Sequence, residues 1–441
     1  MIGGANETIS ATGNGHLHLR LDIPLDAPNT TQVAGEYEFA ANTINVHPLL
    51  PPIERAGGRL SFTGSGLALH DVRGRLFGGP LAVSGGTRPG GAVEIVAKGE
   101  ATVAGLGPLL EDPWRRYLSG ASSYAATVSV RDGAVRVGIE SSLRGVASAL
   151  PAPLDKGIGE TLPLRVELLP ADGGARDRVS LALGRRAAVE ILRRRQGEER
   201  SAPMAVQRAS LWLAPEPGQA IRLPERPGVL VYGALPTLDL DSWLALVKDF
   251  GAGGATGAPT ALTFDLRLRV LDTFGWRTNG VALNGSADAG GWNAAVSANE
   301  LAGDLTYRAE AGGLLTARLV RFTAPAETPG AAARAASRPR EKERALPSID
   351  FIAERFNFRG KDFGHVEILA TPSGPEWKVE KLAIRNPDSA LQARASWRRG
   401  AAPLSSLNFT LEASDTGRFL ERVGYPDMVK GGSSNLRGDV S

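Results

Sequence analysis

The stretch Gly57 to Gly86, GGRLSFTGSGLALHDVRGRLFGGPLAVSGG, alternates apolar and polar residues between glycine-rich turns. Leu60 and Phe62, Leu67 and Leu69, Leu76, then Leu81 and Val83 carry the apolar beat, and Gly64–Gly66, Gly74 and Gly78–Gly79–Pro80 punctuate it. A period of two sends successive side chains to opposite faces of a strand, and glycine supplies the positive-φ turns that antiparallel neighbours need. The pattern predicts a mainly β chain whose strands each present one apolar face, with little but turns between them.

The same beat recurs along the chain. In His16 to Ile23, Leu17, Leu19, Leu21 and Ile23 fall on one face and His16, His18, Arg20 and Asp22 on the other. Val33 to Phe39 follows suit, as do ASSYAATVSV with Val128 and Val130, Leu162–Leu169 with Leu164 and Val166, ALTFDLRLRV with Phe264, Leu266 and Leu268, and Leu407–Leu411. Three short helices interrupt the strands. Asp112–Gly120 has an acidic cap, Pro at the first turn, a closing Gly, and Trp114, Tyr117 and Leu118 on one face. Asp241–Gly251 and Asp415–Pro426 repeat the pattern, the first with Trp243, Leu246, Val247 and Phe250, the second with Phe419, Leu420 and Val423. A capped helix followed by strands, met three times, predicts an elongated array built by adding neighbours.

This organisation divides the chain into a β segment over 1–150 with a helix near 112–119 and a second over 151–323 with a helix near 241–250. Residues 324–347, rich in Ala, Pro and charge without periodicity, read as a flexible linker or excursion. A third β segment over 348–441 carries a helix near 415–423. It stops inside the strand-like NLRGDVS, so a fragment of a longer chain is expected.

Composition narrows the chemistry. A formal net charge of +3 over 441 residues does not supply the concentrated basic face that nucleic acid requires. The absence of cysteine excludes disulfides and zinc–thiolate sites. No run of 18 apolar residues occurs, and MIGGANETIS lacks the basic and apolar regions of a secretory signal. Nucleophile-elbow, zincin, Walker and EF-hand patterns are missing. The Gly-rich Gly251–Gly257 follows a helix and precedes a strand, the reverse of a dinucleotide-binding turn, and reads as a linker. His16 and His18, with Asp22, have the spacing of a chelating set, but they read as solvent-facing polar positions of a half-buried strand. Arg193–Arg195 and the Arg338–Arg344 cluster could meet anionic headgroups or simply form a charged edge. Trp114, Trp243 and Phe419 read as helix anchors. No cofactor and no metal is implied.

What remains is the long apolar face. It either packs against a second sheet as a sandwich core or lines a groove for apolar ligands. Each methylene kept from water is worth ~0.8 kcal/mol, so a chain of about sixteen carbons costs roughly 12 kcal/mol to expose. A carrier of lipid through water must therefore line its whole path with apolar side chains. Periodicity alone leaves both readings open.

Several stretches resemble the YhdP branch of the AsmA-like envelope proteins, relatives of TamB. They are TINVHPLLPPIERAGGRLSFTGSGLALHDVRGRLFGGPLAVSGG (Thr43 to Gly86), ALPAPLDKGIGETLPLRVEL (Ala149 to Leu168), LPERPGVLVYGALPTLDLDSWLAL (Leu223 to Leu246), FNFRGKDFGHVEILATPSGPEWKVEKLAIRNPDSALQARASW (Phe356 to Trp397) and VGYPDMVKGGSSNLRGDVS (Val423 to Ser441). The resemblance implies a long, twisted antiparallel β-sheet curved into a groove that bridges the periplasm. It implies non-enzymatic transport of phospholipid between inner and outer membranes of a Gram-negative cell, supporting the outer-membrane barrier. Longer relatives begin with an inner-membrane helix, so membranes or their proteins are expected at the ends of the full-length chain, and phospholipid acyl chains as partners here. The expected lining is Leu17, Leu19, Leu21, Leu67, Leu69, Val128, Val130, Leu164, Val166, Phe264, Leu266, Leu268 and Leu411. A one-residue register error would invert any strand's face. A second reading, an assembly factor that guides outer-membrane proteins through exposed β-edges, rests on the TamB relationship and on edge pairing. A glycan- or lipid-processing enzyme ranks behind both, because no acid–base or nucleophile constellation stands out.

Overall fold

Alternating segments joined by glycine turns form hairpin after hairpin, because each strand finds its antiparallel partner next in sequence. The computed structural model describes residues 10–23, 26, 31–46, 50–110, 112–197, 202–250, 261–273, 275–324, 347–373, 376–398 and 404–440. The expected linker within 325–346, the Gly-rich 251–257 and the arginine cluster of 338–344 lie outside the described residues. The chain divides into two compact units: Met1–Val229 with Ser242–Pro259, and Leu230–Asp241 with Thr260–Ser441.

Among the described residues the first unit is a ladder of thirteen strands. In order they are β1 (Ser10–Asp22), β2 (Gln32–Asn45), β3 (Ile53–Thr63), β4 (Gly66–Leu76), β5 (Gly78–Thr87), β6 (Val93–Thr102), β7 (Leu118–Arg131), β8 (Ala134–Ser141), β9 (Val146–Ser148), β10 (Leu164–Ala171), β11 (Arg176–Leu183), β12 (Ala187–Arg195) and β13 (Met204–Leu213). Each pairs antiparallel with the next, except that short β9 pairs with the start of β7 and leaves β8 free for β10.

Helix α1 (Asp112–Tyr117) stands between β6 and β7. It is shorter than the Asp112–Gly120 span that capping residues suggest. Ala149 N–H takes the Tyr117 carbonyl at 2.7 Å, and Leu118 to Gly120 are claimed by β9, so strand pairing wins the last helical turn. Helix α2 (Leu240–Phe250) follows β14 (Gly228–Asp239). From Ser242 onward α2 belongs to the first unit, where Tyr117 Oη donates to Asp249 at 2.5 Å and Trp243 Nε1 donates to the Ala152 carbonyl at 3.0 Å. Trp243 thus holds its helix to the loop before β10.

The second unit continues with β15 (Leu262–Thr273), β16 (Trp276–Asp288), β17 (Gly291–Ser297), β18 (Leu301–Arg308), β19 (Leu314–Ala324), β20 (Ser348–Phe358), β21 (Lys361–Ser373), β22 (Glu376–Asn386), β23 (Ser389–Arg398), β24 (Leu404–Ala413) and β25 (Ser434–Val440). The neighbours are antiparallel, with one departure from the all-antiparallel expectation: β19 and β20 run parallel. A parallel pair needs a return of a dozen residues or more, and the chain between Ala324 and Ser348 supplies it. Helix α3 (Thr416–Val423) matches its sequence signals closely. Asp415 accepts from Arg418 N–H at 3.0 Å as N-cap, and Gly424 closes the helix at φ 106°. Arg422 fastens it by donating to the Asp362 carbonyl at 2.7 Å and to the buried Asp388 carboxylate.

Neither ladder closes on itself among the described residues. Burial concentrates in the second unit, where Ala317, Leu319 and Ala353 pack under Phe322, Phe351 and Phe356. Leu268 is 3 % exposed and Val281 2 %, whereas Leu19 on β1 is 51 % exposed. Leu268→Ala is therefore expected to cost about 2–5 kcal/mol of unfolding free energy, the range for buried leucines. Leu19→Ala should fall within about 1 kcal/mol. Chemical denaturation of the two variants checks the contrast.

Candidate functional site

Directly opposed residues of neighbouring strands project to the same side of a sheet, so the register can be followed from strand to strand. Leu17, Leu19 and Leu21 oppose Tyr37, Gly35 and Val33. Gly35 and Tyr37 oppose Phe62 and Leu60, and these oppose Leu67 and Leu69. Leu69 opposes Gly85, which opposes Ile95, which opposes Val128; Val93 opposes Val130. Val128 opposes Val137. Two residues along β8, Ile139 opposes Val166, and Val166 meets Leu181, then Val189 and Leu211. Leu164 opposes Leu183. All the candidate residues of the first unit therefore share one face.

The opposite face is polar. His18, Glu36 and Ser61 form one row, with Arg59 and Glu36 paired at 3.4 Å and Ser61 Oγ 2.9 Å from His70 Nε2. Arg165 Nε donates to Glu140 at 3.1 Å across β10 and β8. Such exposed pairs add little stability because water screens them, but they show which side prefers water. Arg193 of the arginine triplet is not free: it grips Asp177 with hydrogen bonds of 2.8 and 2.7 Å, at the margin of the apolar face where Val179 and Leu181 give way to charge.

The second unit repeats the arrangement. Phe264, Leu266 and Leu268 oppose Gly285, Leu283 and Val281. Leu283 and Gly285 lead to Val296 and Ala294, then to Gly303 and Leu305, then to Leu319 and Ala317. Across the parallel pair these meet Ala353 and Phe351, which lead to Val366 and Ile368, then Ile384 and Leu382, then Leu391 and Ala393. Leu391 opposes Leu411, and Leu411 opposes Leu436. Phe264, Leu266, Leu268 and Leu411 thus also share a face.

Depth differs along these faces. Leu17 and Leu21 are more than half exposed, but Leu266 and Leu268 are nearly sealed by their neighbours. An aromatic group lies over Ala317, Leu319 and Ala353. The Phe322 ring lies 5.7 Å from both Phe351 and Phe356 and 6.0 Å from Trp276. Period-two reading misses this group. Register shifts between Ala302 and Gly303 and between Ala353 and Phe356 flip the alternation, bringing Phe322 and Phe356 to the side of Phe351.

On the polar side of β20–β22, His365 stands between two carboxylates, Nδ1 3.0 Å from Glu354 and Nε2 3.0 Å from Glu367. Ionised carboxylates only accept, so the ring satisfies both contacts at once when it is protonated and both nitrogens donate. The Glu354 contact is the main cause that raises His365 above its ordinary value, against desolvation. Lys381 foremost, then His365, hold Glu367 down at about 2. Among the described residues no group of His, Asp or Glu could hold a metal ion; His16 and His18 stand opposite Glu38 and Glu36 on the polar face. Among the described residues no helix is long and apolar enough to cross a membrane.

The profile of the family described as YhdP protein matches residues 1–441. The chain is 25% identical over 458 residues to the intermembrane phospholipid transporter YhdP of Escherichia coli (strain K12), an alignment covering 100% of this chain and 35% of the relative. The chain thus spans about a third of the length of the curated relative it matches. No solved structure matches it.

The His365 bridge carries a pH signature. Its folded-state pKa is raised, so its stabilisation is complete below the unfolded value near 6.5 and fades as pH climbs through the folded value. Glu367 acts oppositely, stabilising above the unfolded carboxylate range and losing that contribution as pH falls towards about 2. His365→Gln should be less stable than the parent at about pH 6 and converge with it at about pH 9. Denaturant unfolding at both values, with an NMR titration of His365, checks the crossover.

Proposed function

Because the chain belongs to the YhdP family, we propose that it forms part of a non-enzymatic path for phospholipid between the inner and outer membranes of a Gram-negative envelope, and so supports the outer-membrane barrier. Acyl chains travel over the apolar face and headgroups stay towards water. The observation that carries this reading is the unbroken apolar register: hydrocarbon meets side chains such as Leu19, Phe62, Ile95, Val128, Val166 and Val189 in succession. An enzyme pocket needs no face of that extent. A lipid path does, since each exposed methylene would cost ~0.8 kcal/mol. The Escherichia coli relative is an intermembrane phospholipid transporter, which supports this reading and speaks for lipid over the guidance of outer-membrane proteins.

On this reading the chain works in the periplasm, and the full-length protein holds an inner-membrane anchor. Leu17, Leu19, Leu21, Leu67, Leu69, Val128, Val130, Leu164, Val166, Phe264 and Leu411 line the path. Leu266 and Leu268 belong to its floor, where burial makes them supports for the lining more than contacts for lipid.

Photo-crosslinking side chains placed at Val128 and Val166, and at Thr127 and Glu167 of the opposite face, test the assignment in cells. Phospholipid adducts are expected at the first pair at about ten times the yield of the second, the discrimination expected when hydrocarbon is confined to the apolar side. Equal labelling of both faces would sink the proposal.

A further inference from the structure

Aromatic side chains on the apolar face share an unusual posture. Gly35 of β2 directly opposes Phe62 of β3. A methyl group added to Gly35 would overlap the end of the Phe62 ring, with both Cε atoms 2.9 Å away. The ring therefore does not stand up from the sheet; it reclines across the strand gap onto the space the missing side chain leaves. The second unit repeats this at the other end of the chain. Gly438 of β25 opposes Phe409 of β24, and a methyl group there would lie 2.6 and 2.7 Å from Phe409 Cε1 and Cζ. Tyr124 over Gly99 and Phe264 over Gly285 are further directly opposed pairs of the kind, with ring atoms 3.1 and 2.7 Å from the missing methyl.

Neither Gly35 nor Gly438 adopts a left-handed backbone, and only ring atoms crowd their open sides. Backbone geometry thus permits alanine at both. Glycine in the interior of a strand is otherwise unfavourable relative to alanine. The gain that offsets this is the ring's place to lie. We infer that Gly35 and Gly438 are positioning residues for Phe62 and Phe409, and that these glycine–aromatic pairs keep the apolar face level. Resting on the lipid path proposed above, the levelling sets the clearance through which an acyl chain slides. A ring reclined over glycine gives hydrocarbon contact without relief; a ring forced upright would stand across the path.

The test uses Gly35→Ala and Gly438→Ala in the full chain, alongside the doubles Gly35→Ala/Phe62→Leu and Gly438→Ala/Phe409→Leu. Ring position is read by structure determination of each variant. Lipid load is read by native mass spectrometry after incubation with vesicles of phosphatidylethanolamine and phosphatidylglycerol, and folding by thermal melting. The single variants should melt within a few degrees of the parent, show the ring lifted from its glycine, and carry about five-fold less phospholipid, as overfilling one crowded contact predicts. The doubles, with a smaller side chain over the alanine, should carry more phospholipid than the singles; doubles that carry no more than the singles overturn the clearance role. A lifted ring with undiminished lipid load overturns the clearance role. A ring that stays reclined over alanine overturns the positioning role. Should the parent itself take up no phospholipid, the lipid path falls, and ring position alone then decides whether glycine levels the face.

Discussion

Everything described depends on strands meeting in phase. A slip of one residue would exchange the faces of a strand and put Arg165 or Glu167 where Leu164 and Val166 now stand. Across the first unit the phase holds from Leu19 to Leu211 despite register shifts that involve β1 to β5 and the β12–β13 pair. One of them begins directly after Leu69, and Val72 beyond it faces Val83 on the apolar side again. Phase is protected from both sides at once. The apolar side loses hydrocarbon contact if a strand slips, and the polar side loses pairs such as Arg59–Glu36 and Arg165–Glu140. Each pair is weak, yet all of them vote for the same register.

The apolar face is also an unusual compromise. A sandwich would cover it with a second sheet; within each unit here, cover comes from the face's own side chains and is partial. Where Phe322, Phe351 and Phe356 cluster over Ala317 and Ala353, the small residues are sealed. On β1 the leucines stay open to solvent. Exposed apolar surface of this extent invites a partner, and lipid is the partner proposed above.

Much of this was legible in the alternation. His16 to Ile23 announces its own two faces, and Asp415 with Gly424 announces α3 to the residue. Other features depend on distant neighbours. Leu118 to Gly120 carry helical signals but are taken by β9, whose pairing no local pattern reveals. Alternation assigns Leu268 to a face without telling how deeply it lies, because depth is set by what other strands project. The parallel pairing of β19 and β20 follows from a long return through a segment with no periodicity, which in sequence looks like a mere spacer. Phe356 changes sides because of one bulge, and a bulge leaves no mark in a two-residue beat.

The parallel pair has a further consequence for how the chain assembles. Nearly every strand is closed by a short turn onto its predecessor, so order can spread by zipping, each new strand adding to a template already present. The step from β19 to β20 cannot proceed that way. Phe351 must find Ala317, and Ala353 must find Leu319, only after the ends of the chain between Ala324 and Ser348 have been brought together by diffusion, an entropic toll that grows with the logarithm of the loop. The second unit therefore has a kinetic seam through the cluster of Ala317, Leu319 and Ala353, and strands β20 to β25 can zip among themselves before that seam closes.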